Sequence, residues 1–238
     1  MKPIAWSHSS LSDFRNCPKA FYRKRIAKDV LDPPNDAGLA GDYMHKVFEM
    51  YLKSGGTAIL PSTYPTNIRD WPQGLKTPDR YKDYLDKILE GPGMMMVESK
   101  YAINKDMQSC MFFATDVWCR SILDVLRIDG EMAWSLDHKT GKRKEDTRQL
   151  KLSALQIFAH HPEVMRVSTR YCWLVAGVVD KSMYTRDQVV ELWAEFIPDL
   201  RQYVQAFKTE TFVPRPSGLC NGWCPVTDCE FWKPKRSR

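Results

Sequence analysis

The stretch Ser121-Ile-Leu-Asp124-Val-Leu-Arg-Ile-Asp129-Gly130-Glu-Met-Ala-Trp-Ser-Leu-Asp137-His138-Lys139-Thr-Gly141 reads as two adjacent strands. Each delivers one carboxylate, and a lysine follows two residues after the second. Alternate residues of a strand share a face, so Asp137 and Lys139 point one way and His138 the other. Asp129-Gly130 is a strong hairpin signal, and pairing the strands on either side brings Asp124 towards Asp137. Two converging acids and an ammonium suit a hard divalent cation and the anion that such a cation activates. A lone Asp-x-Lys also occurs on ordinary surface hairpins, so the reading depends on the residues around it.

The chain has 238 residues, enough to bury a sizeable core in one large domain. Hydrophobic residues are 43% and charged residues 27%, the balance of a globular protein rather than of a disordered or membrane-embedded one. No apolar run is long enough to cross a bilayer, and Met1-Lys-Pro-Ile-Ala-Trp lacks the apolar core of a signal peptide. The expected location is cytoplasmic. Seven cysteines in such a chain favour metal binding over disulfides. The net charge of +6 fits a polyanionic partner. Its cations gather at Lys19, Arg23, Lys24 and Arg25, at Lys142-Arg143-Lys144, and at Lys233, Lys235, Arg236 and Arg238.

The pattern along the chain predicts a short helix from Ser10, interrupted at Cys17-Pro18, then helices over 36–53 and 78–89. Residues 55–74, rich in Pro and Gly, read as an irregular excursion. Strands follow over 94–103, 111–117, 122–128 and 132–138, then a helix over 147–160, a strand over 170–176 and one long helix over 186–207. This order predicts an α/β or α+β core. It carries a helical N-terminal addition and a Cys-rich C-terminal tail.

Gly41, His45 and Glu49 recur at i,i+4 and share a helix face, where His45 is a candidate ligand or phosphate-side donor. Glu98 in the first strand offers a third carboxylate. Gln149, at the start of the 147–160 helix, is placed to position a water or phosphate. Cys220-Asn-Gly-Trp-Cys224-Pro-Val-Thr-Asp-Cys229 puts three thiols in a segment with no apolar pattern, and Cys17 offers a fourth. Four thiolates suit a [4Fe–4S] cluster and also structural Zn²⁺. Cys110, Cys119 and Cys172 lie in strand-like runs and are expected in the core.

His45, Glu98, Asp124, Asp137-x-Lys139 and Gln149, in this order, resemble the RecB-like branch of the PD-(D/E)XK nucleases. The resemblance covers most of the chain and implies a restriction-endonuclease-like core with a central mixed sheet flanked by helices. It implies that Asp124, Asp137, the His138 carbonyl and His45 hold Mg²⁺ or Mn²⁺, while Lys139 aids the attacking water. The chain departs from the family in having Ser153 where a tyrosine commonly follows the glutamine. The Cys17, Cys220, Cys224 and Cys229 set is similar to that of the iron–sulfur CRISPR-associated RecB-like exonucleases and AddB-type nuclease domains. By that resemblance, residues 1–35 and 209–238 form a metal-cluster subdomain on a nuclease core of 36–208, the whole being one domain.

The function implied is a metal-dependent DNA exonuclease acting at single-stranded or frayed ends, with recombination or CRISPR-adaptation proteins as partners and no membrane. Lys19, Tyr22, Arg23, Lys142, Arg143 and Lys144 are the expected DNA contacts, with Phe21, Tyr22 and Trp223 available to stack on bases. Two alternatives are carried. One is a nuclease fold without turnover that binds DNA or protein through a Cys₄ clasp. The other is a site-specific endonuclease, which leaves the cysteines unexplained.

Overall fold

The computed structural model describes residues 1–234; Lys235, Arg236 and Arg238 of the basic C-terminal run lie outside the described residues. The chain divides into two compact units, Pro34–Leu192, and Met1–Pro33 with Trp193–Arg238.

The larger unit holds a six-stranded sheet. Its strands are β1 (Met94–Ile103), β2 (Ser109–Cys110), β3 (Cys119–Asp129), β4 (Met132–Lys139), β5 (Arg166–Trp173) and β6 (Val178–Thr185), in the order β2-β1-β3-β4-β5-β6. All neighbours are antiparallel except β4 and β5. A parallel pair needs a crossover, and the helix Arg148–His160 between β4 and β5 supplies it. The fold is the mixed, helix-flanked, restriction-endonuclease-like α+β class.

Turn chemistry sets the β3–β4 register. Asp129 pairs with Met132, and Gly130 takes a φ of 54° at the first position of the two-residue loop, a conformation that suits glycine. Gly93, entering β1, lies so close to β3 that a Cβ there would sit 2.1 Å from the Ile128 carbonyl oxygen. The long helix Asp36–Lys53 lays Ala40, Met44, Phe48 and Tyr51 onto Val125, Leu136 and Cys172 of the sheet. Burying each large apolar side chain of this kind is worth about 1.5–3 kcal/mol. Arg127 is buried on β3 and donates to the carbonyls of Ile88, Leu89, Pro92 and Gly93, satisfying the end of the helix Lys82–Leu89.

In the smaller unit, Ser7 and Ser10 form a capping box that starts the helix His8–Asn16. Cys17 adopts extended backbone before Pro18 opens the helix Pro18–Phe21, and a π-helical turn follows over Tyr22–Ala27. The helix Ile197–Thr209 packs Tyr203 edge-on against Phe14 and Phe21.

Several sequence expectations are corrected. Residues 111–117 form turns, not a strand; β2 is only Ser109–Cys110. The strand expected over 170–176 lies earlier, at 166–173, and β6 went unread. The long helix expected over 186–207 is three pieces, Arg186–Gln188, Val189–Ala194 and Ile197–Thr209, and Pro198 stands at the start of the last. Proline cannot donate the backbone bond that helix continuity would require there. Cys119 and Cys172 are buried, whereas Cys110 is only half-buried.

Candidate metal site and cysteine cluster

The numbering α1 (His8–Asn16), α2 (Pro18–Phe21), α3 (Asp36–Lys53), α4 (Lys82–Leu89), α5 (Arg148–His160), α6 (Val189–Ala194) and α7 (Ile197–Thr209) is used below. The β3–β4 ladder runs from Asp129↔Met132 to Val125↔Leu136 and stops. Asp124 and Asp137 come next in that register, where the strands diverge. The β1–β3 ladder pairs Val97 with Val125 and Ser99 with Leu123, so Glu98 stands across from Asp124. Three carboxylates thus share one row of three strands. Glu98 has a φ of 55°, a left-handed conformation unusual for a side-chain-bearing residue inside a strand.

Asp124 Oδ2 accepts the His138 backbone N–H at 2.7 Å and lies 3.2 Å from His45 Nδ1, which α3 projects toward it. Ligand atoms of His45, Glu98 and Asp124 all fall within 4.8 Å of one another. Gly41, one turn before His45, faces Thr140, whose hydroxyl would be 3.1 Å from an added Cβ; the small residue permits that approach. Asp137, Lys139 and Gln149 close a ring. Lys139 Nζ donates to Gln149 Oε1 at 2.9 Å, Gln149 Nε2 donates to Asp137 Oδ1 at 2.7 Å, and Lys139 Nζ sits 2.6 Å from Asp137 Oδ2. The two neighbours fix the amide's orientation, because a flip would turn its NH₂ toward an ammonium and its oxygen toward a carboxylate.

Electrostatics separates the two aspartates. Burial works against ionisation of Asp124, but His138 and His45 overcome it and hold its carboxyl well below the usual range. Burial pushes Asp137 upward despite Lys139, with Asp124 adding to the rise. Burial disfavours the His45 imidazolium, yet the Asp124 hydrogen bond and charge win, raising its pKa to about 9. Burial raises Glu98, helped by Asp124 and Glu49.

Every sequence-derived residue of this site lies on the fork, on α3 facing it or at the start of α5, but in two subsets: His45, Glu98 and Asp124, and Asp137, Lys139 and Gln149. His138 is 2% exposed, packed edge-on against Phe48 and Tyr84. Ser153 is buried and bonds back to the Gln149 carbonyl. Sequence reasoning missed Tyr171, whose ring lies 5.2 Å from Lys139 Nζ and which pairs with Asp137 across β4–β5. The alternation of Arg170-Tyr171-Cys172-Trp173 was the signal that could have placed it beside the site.

In the smaller unit, Cys17, Cys220, Cys224 and Cys229 line one pocket, with Pro214, Pro216, Val226 and Trp232 among its walls. Backbone N–H groups of Arg215 and Ser217 donate to the sulfurs of Cys17 and Cys220. Among the described residues, no three of the four sulfurs lie within 4.8 Å of one another. Lys19 pairs with Glu230 and Arg23 with Asp228, tying the Cys17 helices to the Cys229 turn. These two cations, and Arg143 beside Asp180, each stand against an acidic side chain of the chain in exposed ion pairs. The Tyr22 ring packs at a tilt against Phe212, 4.8 Å between centres, and Phe21 is fully buried, which removes Phe21 as a surface for bases. Lys142 and Lys144 are exposed, and so is Trp223.

The profile of the PD-(D/E)XK nuclease superfamily matches residues 5–229. Among solved structures, a Eubacterium rectale protein provisionally named an exonuclease is 12% identical, with a TM-score of 0.49 covering 95% of this chain and 86% of that one. A protein named SSO0001 is 13% identical, with a TM-score of 0.41 over 97% and 88%. No curated protein matches. No described helix is long and apolar enough to cross a membrane.

Proposed function

Because the chain belongs to the PD-(D/E)XK nuclease superfamily, we infer that it is a divalent-metal-dependent DNA nuclease of the RecB-like kind. It degrades DNA from single-stranded or frayed ends, and its four clustered cysteines hold a [4Fe–4S] group. The observation that carries the reading is the convergence of His45, Glu98 and Asp124 beside the Asp137–Lys139–Gln149 ring.

The residues fit a hard cation. Two carboxylates and an imidazole within 4.8 Å are an oxygen-rich donor set. Asp137 Oδ2 is buried with no hydrogen bond beyond its ion pair to Lys139, which leaves a lone pair free. When bound, Mg²⁺ or Mn²⁺ supplies the Lewis acidity that polarises a phosphoryl oxygen and acidifies a water. His45, Glu98, Asp124 and Asp137 would hold it, with the His138 carbonyl as a further donor. The Lys139 ammonium, fixed by Asp137 and Gln149, offsets negative charge on the phosphate under attack. Gln149 bonds to both Asp137 and Lys139 and so holds the ammonium in place.

Four thiolates lining one pocket suit a [4Fe–4S] cluster and also structural zinc. The similarity of the Cys17, Cys220, Cys224 and Cys229 set to that of iron–sulfur RecB-like nucleases favours the cluster, and backbone N–H donors at Cys17 and Cys220 suit its ligation.

Asp124→Ala, Asp137→Ala and Lys139→Ala should each lower cleavage of end-labelled DNA in Mg²⁺ or Mn²⁺ by roughly a hundredfold or more, with unchanged circular dichroism. Wild-type protein that cleaves no DNA with either metal would sink the nuclease reading. Stoichiometric zinc without iron or sulfide in anaerobically purified protein would sink the cluster assignment.

A further inference from the structure

We propose that the exposed β1–β3 surface leading from Glu98 and Asp124 to Phe112 and Phe113 is the track that binds a single DNA strand. What stands at the end of that track rests on the nuclease reading; the track itself rests on a separate set of residues.

The turn after β2 carries Met111-Phe112-Phe113. Met111 is 80% and Phe113 77% exposed, and clustered large apolar side chains in water mark a binding surface more than isolated ones do. The two phenyl rings stand edge-to-face, 5.1 Å apart. Two cations attend them. Lys100 Nζ lies 5.9 Å from both ring centres, and the Arg120 guanidinium carbon lies 5.4 Å from one and 6.0 Å from the other. Arg120 Nε also donates to the Phe112 carbonyl at 2.7 Å, which pins the turn to β3. Among the described residues, no carboxylate forms an ion pair with Lys100 or Arg120, so their charge is available to a ligand.

Register joins this patch to the carboxylates. Lys100 pairs with Ile122 and Ala102 with Arg120, in the same ladder that sets Glu98 across from Asp124. Lys100 and Ile122 therefore lie two residues along from the carboxylate row and Arg120 four, about 7 and 13 Å at strand rise. Ile122, 46% exposed, lies between them on the alternating positions that Asp124 and Arg120 share. The surface thus runs from metal donors through an apolar step and two cations to a pair of aromatic faces.

Aromatic faces flanked by unpaired cations recognise unpaired bases and the phosphates between them, whatever the base sequence. A duplex hides its base faces by stacking, and protein-docking patches are depleted in lysine. The occupant is single-stranded nucleic acid, delivered along β1 and β3 to the row of carboxylates.

The test is fluorescence anisotropy of a labelled oligo-dT strand, in EDTA so that nothing is cut, with full-length protein. Phe113→Ala should weaken binding roughly tenfold. Lys100→Ala should weaken it less and reduce the slope of log affinity against log salt by about 0.7. Both residues are exposed, so melting temperature should not move, and the exposed Ile59→Ala serves as a neutral control. Wild-type affinity in both variants would overturn the track. So would an equal loss for blunt duplex and single strand, or self-association that Phe113→Ala abolishes while DNA affinity stays intact. Tight strand binding, lost in both variants, without cleavage in Mg²⁺ or Mn²⁺ would support the track and count against the nuclease reading alone.

Discussion

The two donor clusters of this chain are built on opposite plans. The carboxylate site draws Glu98, Asp124 and Asp137 from three neighbouring strands, whose hydrogen-bond ladders set their spacing before any ion arrives. Its supporting residues range from buried His138 to half-buried Lys139 and Gln149, and the last two hold Asp137 from one side. The cysteine site draws its four sulfurs from one helix junction and a tail whose regular structure, among the described residues, is a 3₁₀ turn over Gly218–Cys220 and a bridge between Asn221 and Lys233. Exposed ion pairs such as Lys19–Glu230 and Arg23–Asp228 tie the two segments, and pairs of that kind contribute little. The scaffold makes the hard-donor site, to which the proposed ion would add chemistry. At the soft-donor site the proposed cluster would itself supply much of the structure.

Four experiments test that contrast. The largest effect is expected from Cys17→Ala or Cys224→Ala, which should lose the bound iron and most soluble protein. Trypsin should then cut within 1–33 and 193–234 while leaving the larger unit intact. Full iron content in either variant would mean that the cluster does not use that thiol.

Arg127→Ala should strike the other unit. It strips donors from the carbonyls of Ile88, Leu89, Pro92 and Gly93, and should cost about 2–4 kcal/mol in urea unfolding. The brown colour should stay. A loss of colour along with stability would show that the two sites are not independently built.

His45 gives the site a pH signature. Its pKa is raised to about 9 from an ordinary 6.5, so its pairing with Asp124 stabilises the metal-free fold fully below about 6.5. That contribution is lost as pH rises through about 9. A divalent ion must displace the same proton, so Mn²⁺ affinity measured by calorimetry should climb up to about tenfold per pH unit between pH 7 and 9. His45→Ala should flatten this rise. An unchanged slope would remove His45 from the ligand set.

The smallest effect concerns backbone strain. Glu98→Gly suits the φ of 55° and removes a carboxylate from beside Asp124. Metal-free protein should gain about 0.5–1 kcal/mol, while Mn²⁺ affinity falls. A net loss of stability would show that the left-handed turn at Glu98 carries no strain.

The sequence alone determined the elements whose signals are local. Asp129-Gly130 announces the β3–β4 hairpin, and alternation along β4 sets Asp137 and Lys139 on one face. The i,i+4 series Gly41, His45 and Glu49 marks the α3 face that meets the fork. These follow from backbone periods of 2 and 3.6 and from glycine's freedom, so they need no knowledge of distant residues. Pro18 likewise told where α1 had to end, because proline cannot extend the hydrogen-bond series. The exposed edge strand β6 and the turns at 111–117 were not legible. β-branched and aromatic residues suit strands, half-buried loops and short turns alike, and only packing separates these uses.

Tertiary structure decided which donors meet. The strands diverge immediately beyond Val125↔Leu136, and that fork gathers Glu98 and Asp124 with His45 while turning Asp137 toward Lys139 and Gln149. It brought in Tyr171 from a strand more than thirty positions further on, in register with Asp137. It also buried Phe21, paired Lys19 with Glu230 and Arg23 with Asp228, and left Phe113 and Lys100 exposed. A residue's type says what chemistry it can offer. Whether water, a partner side chain or a ligand receives it depends on contacts between segments far apart in the chain, and local pattern does not encode those.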